Sequence, residues 1–142
     1  MSREILFKAK RKNWRELPKE EWWVEGSYHN QIYYYGNPCD DHYIIDRTEN
    51  GYGEYWEVDP ETLCQYTGLT DKNGKRIWEN DIVDTYESDS GETLRNVVKF
   101  KQGCFKVFKN HYLPMYLDKY NTSELEVYGN VCDNPELLGG AE

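Results

Sequence analysis

Asp71, Asp81 and Asp84 lie close together in the sequence, and converging carboxylates are the equipment of proton transfer and of Mg²⁺ binding. A second constellation, Cys39-Asp40-Asp41-His42, offers a C-x-x-H pair that His111 or Cys132 would complete toward the four donors zinc prefers. Neither has a specific pattern. Structural zinc sites present two paired knuckles and the second pair is missing here, while three carboxylates drawn from 26 Asp and Glu are equally well explained as turn and edge residues. Nucleophilic catalysis would need Ser, Cys or Thr beside a base, yet none of His29, His42 and His111 accompanies an elbow motif. Gly68, Gly74 and Gly103 follow neither the GxxxxGK[ST] nor the GxGxxG order of phosphate-binding loops. The sequence therefore assigns no catalytic residue, no metal ligand and no cofactor.

Surface chemistry is the other candidate. Trp22, Trp23, Tyr33, Tyr34 and Tyr35, with Lys10, Arg11 and Lys12, could form an interaction surface, and Trp78 is a further ring. Such rings can stack on single-stranded nucleic acid or anchor a protein contact. Three consecutive tyrosines cannot all face inward on a strand, because successive side chains point to opposite faces. Charge separates the partners: residues 1–15 hold six basic residues against Glu4, but the whole chain carries −9. That balance disfavours a duplex-coating mode driven by counterion release and favours a protein partner.

The elements that must position these groups follow from composition. Leu, Ile, Val and Phe together number 28 of 142 residues, so the 13 Tyr and 5 Trp must supply much of the apolar burial. A chain of this length accommodates one domain or two small subdomains. The cysteines Cys39, Cys64, Cys104 and Cys132 form no CxxC pair and read as free buried thiols. No signal peptide and no apolar run near 18 residues is visible, so neither secretion nor a membrane span is expected.

Short β-branched and aromatic runs separated by Gly, Asn, Asp and Pro predict strands. They fall at REILFKA (3–9), within WWVEGSYHNQIYYYG (22–36) as a hairpin turning around His29-Asn30 with a bulge at Gly26, and at the short piece Tyr43 to Ile45 between turn clusters. Further strands are expected at EYWEV (54–58), DIVDTYE (81–87), TLRNVVKFK (93–101), CFKVFK (104–109) and ELEVYGNV (124–131), the last with a bulge or close approach at Gly129. ENGYG (49–53) reads as a loop tip and the terminal GGAE as frayed. Asp59-Pro60 and Asp133-Asn134-Pro135 each predict a short helical turn. Strands this short and evenly spaced point to a small barrel or sandwich.

QYTGLTDKNGKRIWENDIV (65–83) is dense in turn formers. Asn73-Gly74 predicts a type I′ hairpin turn, Thr67-Gly68 a tight bend, and Asn80-Asp81 a corner, with Asp71 in the same structural motif. With REILFKA, WVEG, VDPETLCQYTGLTDKNGKRIWENDIV (58–83), VVKF (97–100) and VYGNVCDNPELL (127–138), the chain resembles YopX, a family of small phage and prophage proteins. Asn80 departs from the Gly usual before D-I-V, and Asn is the non-Gly residue that best tolerates a left-handed conformation. The resemblance implies an all-β fold: an N-terminal β subdomain over 1–62, with an aromatic and acidic insertion at about 33–55, and a C-terminal SH3-like small barrel over 63–142, either with separate cores or sharing one. It implies no enzymatic activity. The resulting expectation is a noncatalytic phage accessory protein in the bacterial cytoplasm, acting through an unknown protein partner. Nucleic-acid binding through the basic segment and an aromatic barrel face is the alternative, an enzyme built from loop carboxylates is a third reading, and open strand edges allow self-association.

Overall fold

A computed structural model describes residues 5–47, 53–109 and 114–138. Expectations placed on residues 1–4, on 48–52 of the Gly-rich loop, on His111 and on residues 139–142 lie outside these. The structure is mostly antiparallel strand, with six short 3-10 turns among the described residues. Two of these turns sit where Pro predicted them: Pro60–Thr62, capped by the Asp59 carboxylate accepting from Glu61 N at 3.1 Å, and Pro135–Leu138. No helix among the described residues is long and apolar enough to cross a membrane.

The chain divides into two compact units, Met1–Gln65 and Tyr66–Glu142. In the first, β1 (Phe7–Lys10), β2 (Trp23–Tyr34), β3 (Asn37–Arg47) and β4 (Gly53–Glu57) pair in the order β4-β3-β2-β1. The start of β5 (Cys64–Thr70) adds to β1 through the pairs Phe7↔Gln65 and Lys8↔Cys64. Ala9, Ile44 and Val58 are fully buried, with Phe7, Val24, Tyr28, Trp56 and Leu63 packed around them. The far ends of β1 and β4 meet, Lys12 N donating to Glu57 O at 2.9 Å and Arg11 bridging Val58.

The second unit holds β6 (Arg76–Trp78), β7 (Asp81–Glu87), β8 (Glu92–Lys101), β9 (Cys104–Phe108), β10 (Met115–Tyr116) and β11 (Leu125–Asn130). Five of them form a sheet ordered β10-β9-β8-β7-β11, curled into a half-barrel. Alternation along β7 to β9 turns Val83, Val98, Phe105 and Val107 inward, where they meet Ile77, Leu117, Tyr120 and Leu125. The register of β11 against β7 shifts between Val127 and Gly129, and a Cβ at Gly129 would lie 2.5 Å from Asn134 Oδ1.

Two turn expectations are corrected. The chain does not reverse at His29-Asn30: β2 runs unbroken through them to Tyr34, and β3 begins at Asn37. The reversal is the two-residue loop Tyr35-Gly36, with φ of 50° and 80°, the paired positive values of a type I′ turn. Asn73-Gly74 is not such a turn, because only Gly74 has positive φ, at 80°. Gly74 N donates to Asp71 O at 3.0 Å and Asp71 N to Lys75 O at 2.8 Å, so a type I turn is followed by a left-handed glycine. Thr67-Gly68 lies inside β5, where the register against β6 slips between Tyr66 and Thr70.

Candidate interaction surface

Asp71, Asp81 and Asp84 serve the backbone and one arginine. Asp71 is 1% exposed; its Oδ1 accepts from Asn73 N and Lys75 N and its Oδ2 from Val127 N, each at 2.9 Å. Burial opposes the Asp71 charge, but these three N–H donors and the Lys75 ammonium outweigh it and hold the carboxyl below its ordinary range. Asp81 Oδ2 accepts from Trp78 N at 2.8 Å, which fixes the corner leading into β7. Asp84 receives Arg95 through Nε at 2.9 Å and Nη2 at 3.3 Å.

The rest of the motif is bound in the same way. Lys72 N donates to Leu125 O at 2.9 Å, tying the turn to β11. Thr67 Oγ1 donates to Ile77 O at 2.7 Å. Asn80 holds a left-handed φ of 72°; its N–H reaches Val98 O, its carbonyl accepts from Val131 N, and its Oδ1 accepts from Lys99 Nζ.

Around His42 there is a small polar relay. Its Nε2 lies 3.1 Å from Asp40 Oδ1 and its Nδ1 2.6 Å from the Tyr28 hydroxyl, with the Tyr28 and His42 rings stacked. The Asn30 amide, and then His42, lower the Asp40 carboxyl from its ordinary value. The Cys39 thiol donates to Gln31 O at 3.3 Å, and desolvation followed by the Asp41 charge pushes its pKa up, away from a reactive thiolate. Among the described residues, no group of three or more His, Cys, Asp and Glu is arranged to hold a metal ion.

The candidate surface residues separate into two places. Lys10 is not on a solvated face: it is 2% exposed on β1, its Nζ 3.8 Å from the Trp14 ring centre, 4.4 Å from Trp22 and 5.6 Å from Trp23. Indole faces are attractive to an ammonium, so the aromatic neighbours of β1 compensate its burial. Trp14 and Trp22 meet edge to face at 4.8 Å, and Trp22 Nε1 donates to Leu17 O. Arg15 and Lys8 lie over the outer faces of Trp14 and Trp23, at 4.3 and 4.5 Å. Arg11 and Lys12 face carboxylates, Glu21 at 3.8 Å and Glu57 at 3.0 Å. They also line an open groove of about 340 Å³ with Asn13, Tyr55, Trp56 and Glu57.

Tyr33, Tyr34 and Tyr35 are elsewhere, at the turn end of the β2-β3 hairpin. They are 61%, 59% and 88% exposed, and Ile32 beside them is 56% exposed. At about 3.3 Å per residue, Tyr33 lies some 30 Å along β2 from Trp23. Trp22, Trp23 and Lys10 are thus brought together, and the tyrosines are not brought to them. Two participants carried no sequence signal of their own. Ile32, beside the tyrosines, and Trp14, against Lys10, were not among the residues the sequence singled out. Nor could the sequence place the buried network in which Asn96 Nδ2 donates to Thr85 Oγ1, and the Thr85 and Tyr120 hydroxyls both donate to Glu87 Oε2.

Fold and surface define a class: an all-β protein of two small units, with an apolar hairpin end and with Asp71, Asp81 and Asp84 committed to structure. The chain belongs to the YopX protein family, whose model matches residues 12–139. It is also similar in fold to protein EF1440 from Enterococcus faecalis, a crystal structure, with a TM-score of 0.52 and 21% identity over 96% of this chain and 99% of that one. None of the curated proteins matches.

Proposed function

We propose that this is a noncatalytic accessory protein, encoded by a phage or prophage and acting in the bacterial cytoplasm through protein contacts made at the end of the β2-β3 hairpin. The observation that carries the reading is the exposure of Ile32, Tyr33, Tyr34 and Tyr35 side by side. Large exposed apolar patches on soluble proteins usually mark interaction sites, and Tyr is among the residues enriched where proteins meet. The commitment of Asp71, Asp81 and Asp84 to backbone donors and to Arg95 supports the noncatalytic part.

Nucleic-acid binding has less support. Lys10 is enclosed by tryptophans, and Arg11 and Lys12 already face Glu21 and Glu57, which leaves the groove beside them with its own counter-charges. The test is affinity capture from a bacterial host with the full chain and with an Ile32→Lys/Tyr34→Lys variant. A protein retained by the first and lost by the second is expected; identical captured sets would refute the assignment of the hairpin end. Anisotropy with single-stranded oligonucleotides at low salt checks the alternative, for which binding tighter than about 10⁻⁴ M would revive it.

A further inference from the structure

Gly26 to Cys39 is a run without a single Asp, Glu, Lys or Arg, in a chain that is 30% charged and carries a net −9. This run forms the distal half of β2, the Tyr35-Gly36 turn and the start of β3. Among the described residues, β1 pairs with β2 only as far as Gly26, and β4 pairs with β3 only from Tyr43 to Arg47. Beyond those points, among the described residues, the hairpin is a two-stranded ribbon with two open edges, except that Val58 N donates to His42 O on the β3 side.

The two edges differ in how they are defended. Proteins blunt exposed edges with charged side chains and Pro. The β3 edge has Pro38, Asp40 and Asp41. The β2 edge, Ser27 to Tyr34, has neither charge nor Pro and ends in Ile32, Tyr33 and Tyr34, residues that favour strand pairing. An edge left unprotected on one side of a ribbon that is protected on the other is built to be paired.

We infer that the occupant of this edge is the β2 strand of a second copy of the chain, laid antiparallel about a two-fold axis. This rests on the reading of the hairpin end as a protein contact and names the partner. Charge argues for a second copy. Two molecules of net −9 repel over most of their surface, and the segment without charges is where identical copies approach without setting like charges opposite one another. A basic partner would find no carboxylate along Ser27–Tyr34 to pair with. Antiparallel self-pairing is isologous and closes, so it produces a dimer and not a fibre. Size sets the strength: Ile32, Tyr33 and Tyr34, each more than half exposed, offer roughly 350 Å² per copy, which places the pair below the ~1,000 Å² of a stable interface and in the weak, transient class. The dimer is accordingly concentration-dependent.

Sedimentation velocity on the full chain, from about 1 to 500 µM, is expected to show the mass rising from 17.0 kDa toward twice that value. Hydrogen exchange at the two ends of this range should show the Ser27–Tyr34 amides gaining protection with concentration. Ile32→Lys, at an exposed position, should weaken association at least tenfold at an unchanged melting temperature. Asp40→Asn, on the opposite edge, should leave it unaltered. A monomer throughout the range, or a dimer indifferent to Ile32→Lys, would overturn the inference. If the chain stays monomeric while the hairpin variant still loses a captured host protein, the second-copy inference fails and the protein-contact reading stands.

Discussion

Replacing Asp71 tests whether the most distinctive stretch of the chain is architecture. Its buried carboxylate accepts from three backbone N–H groups, two in its own turn and one, Val127 N, on β11. Hydrogen bonds to a charged group contribute about 1.5–3 kcal/mol each, and less where water can replace the partner. Asn73 and Lys75 are exposed, so their donors recover part of the loss from solvent; Val127 N, inside a strand, recovers less. Asp71→Ala should therefore cost about 3–4 kcal/mol. Asp71→Asn keeps an oxygen for the turn but points an NH₂ at the Val127 N–H, and should cost about 2 kcal/mol. Against a typical total of 5–15 kcal/mol, both are large. Urea unfolding followed by circular dichroism measures them, and midpoints within error of the parent for both variants would refute the reasoning. The pH dependence has a definite sign. Since the folded Asp71 pKa lies below the ordinary 3.8, its stabilisation is complete above that value and is lost as pH falls through the folded one. The gap between the parent and Asp71→Asn should thus narrow in acid below about pH 4.

Gly74 holds φ 80° with open space where a Cβ would stand, so Gly74→Val should cost only backbone strain, about 1–2 kcal/mol, and Gly74→Asn much less; thermal melts rank the two. At Gly26 the obstacle is steric, because a Cβ would collide with the Ile45 carbonyl of the neighbouring strand. Gly26→Ala should therefore destabilise more than Gly74→Ala, and equal melting temperatures would contradict the close approach of β2 and β3. Burial, then the hydrogen bond to Glu87, pushes the Tyr120 pKa up to about 12. Since this folded value lies above the ordinary 10.0, the contribution is present below pH 10 and lost as pH rises toward 12, and an absorbance titration should show one tyrosine ionising only as the protein unfolds.

Four strands of the half-barrel, β7, β8, β9 and β11, were legible because alternation decides them, whereas the two-residue β10 is too short to show any. β7 occupies Asp81–Glu87 as its sequence reads, and the Gln102-Gly103 turn, with φ of 55° and 83°, joins β8 to β9 where a polar residue before Gly marks it. The hairpin was misplaced because His29-Asn30-Gln31 is locally the most turn-like part of an aromatic run. The actual turn instead forces Tyr35, a residue with no preference for it, into the left-handed region. That choice is fixed by the pairing of β2 with β3 and cannot be seen in either segment alone. Asn73-Gly74 misled for a different reason: the Asp71 side chain captures Asn73 N and Lys75 N and selects the longer loop. Lys10 was grouped with Arg11 and Lys12 on an interaction surface because its enclosure by Trp14, Trp22 and Trp23 depends on segments brought together only by the fold. The exposure of Tyr33 to Tyr35 was partly legible, since three successive rings cannot share one buried face.

The central claim is that the end of the β2-β3 hairpin contacts another protein while the rest of the aromatic surface holds the fold. Capture by the tagged full chain, from host cells that also express an untagged copy, tests it most directly when the Ile32→Lys/Tyr34→Lys variant is run beside it. Both positions are more than half exposed, so the variant should melt with the parent. The account predicts at least one protein, the untagged copy included, that is retained by the parent and lost by the variant; a folded variant that captures the same set would contradict it.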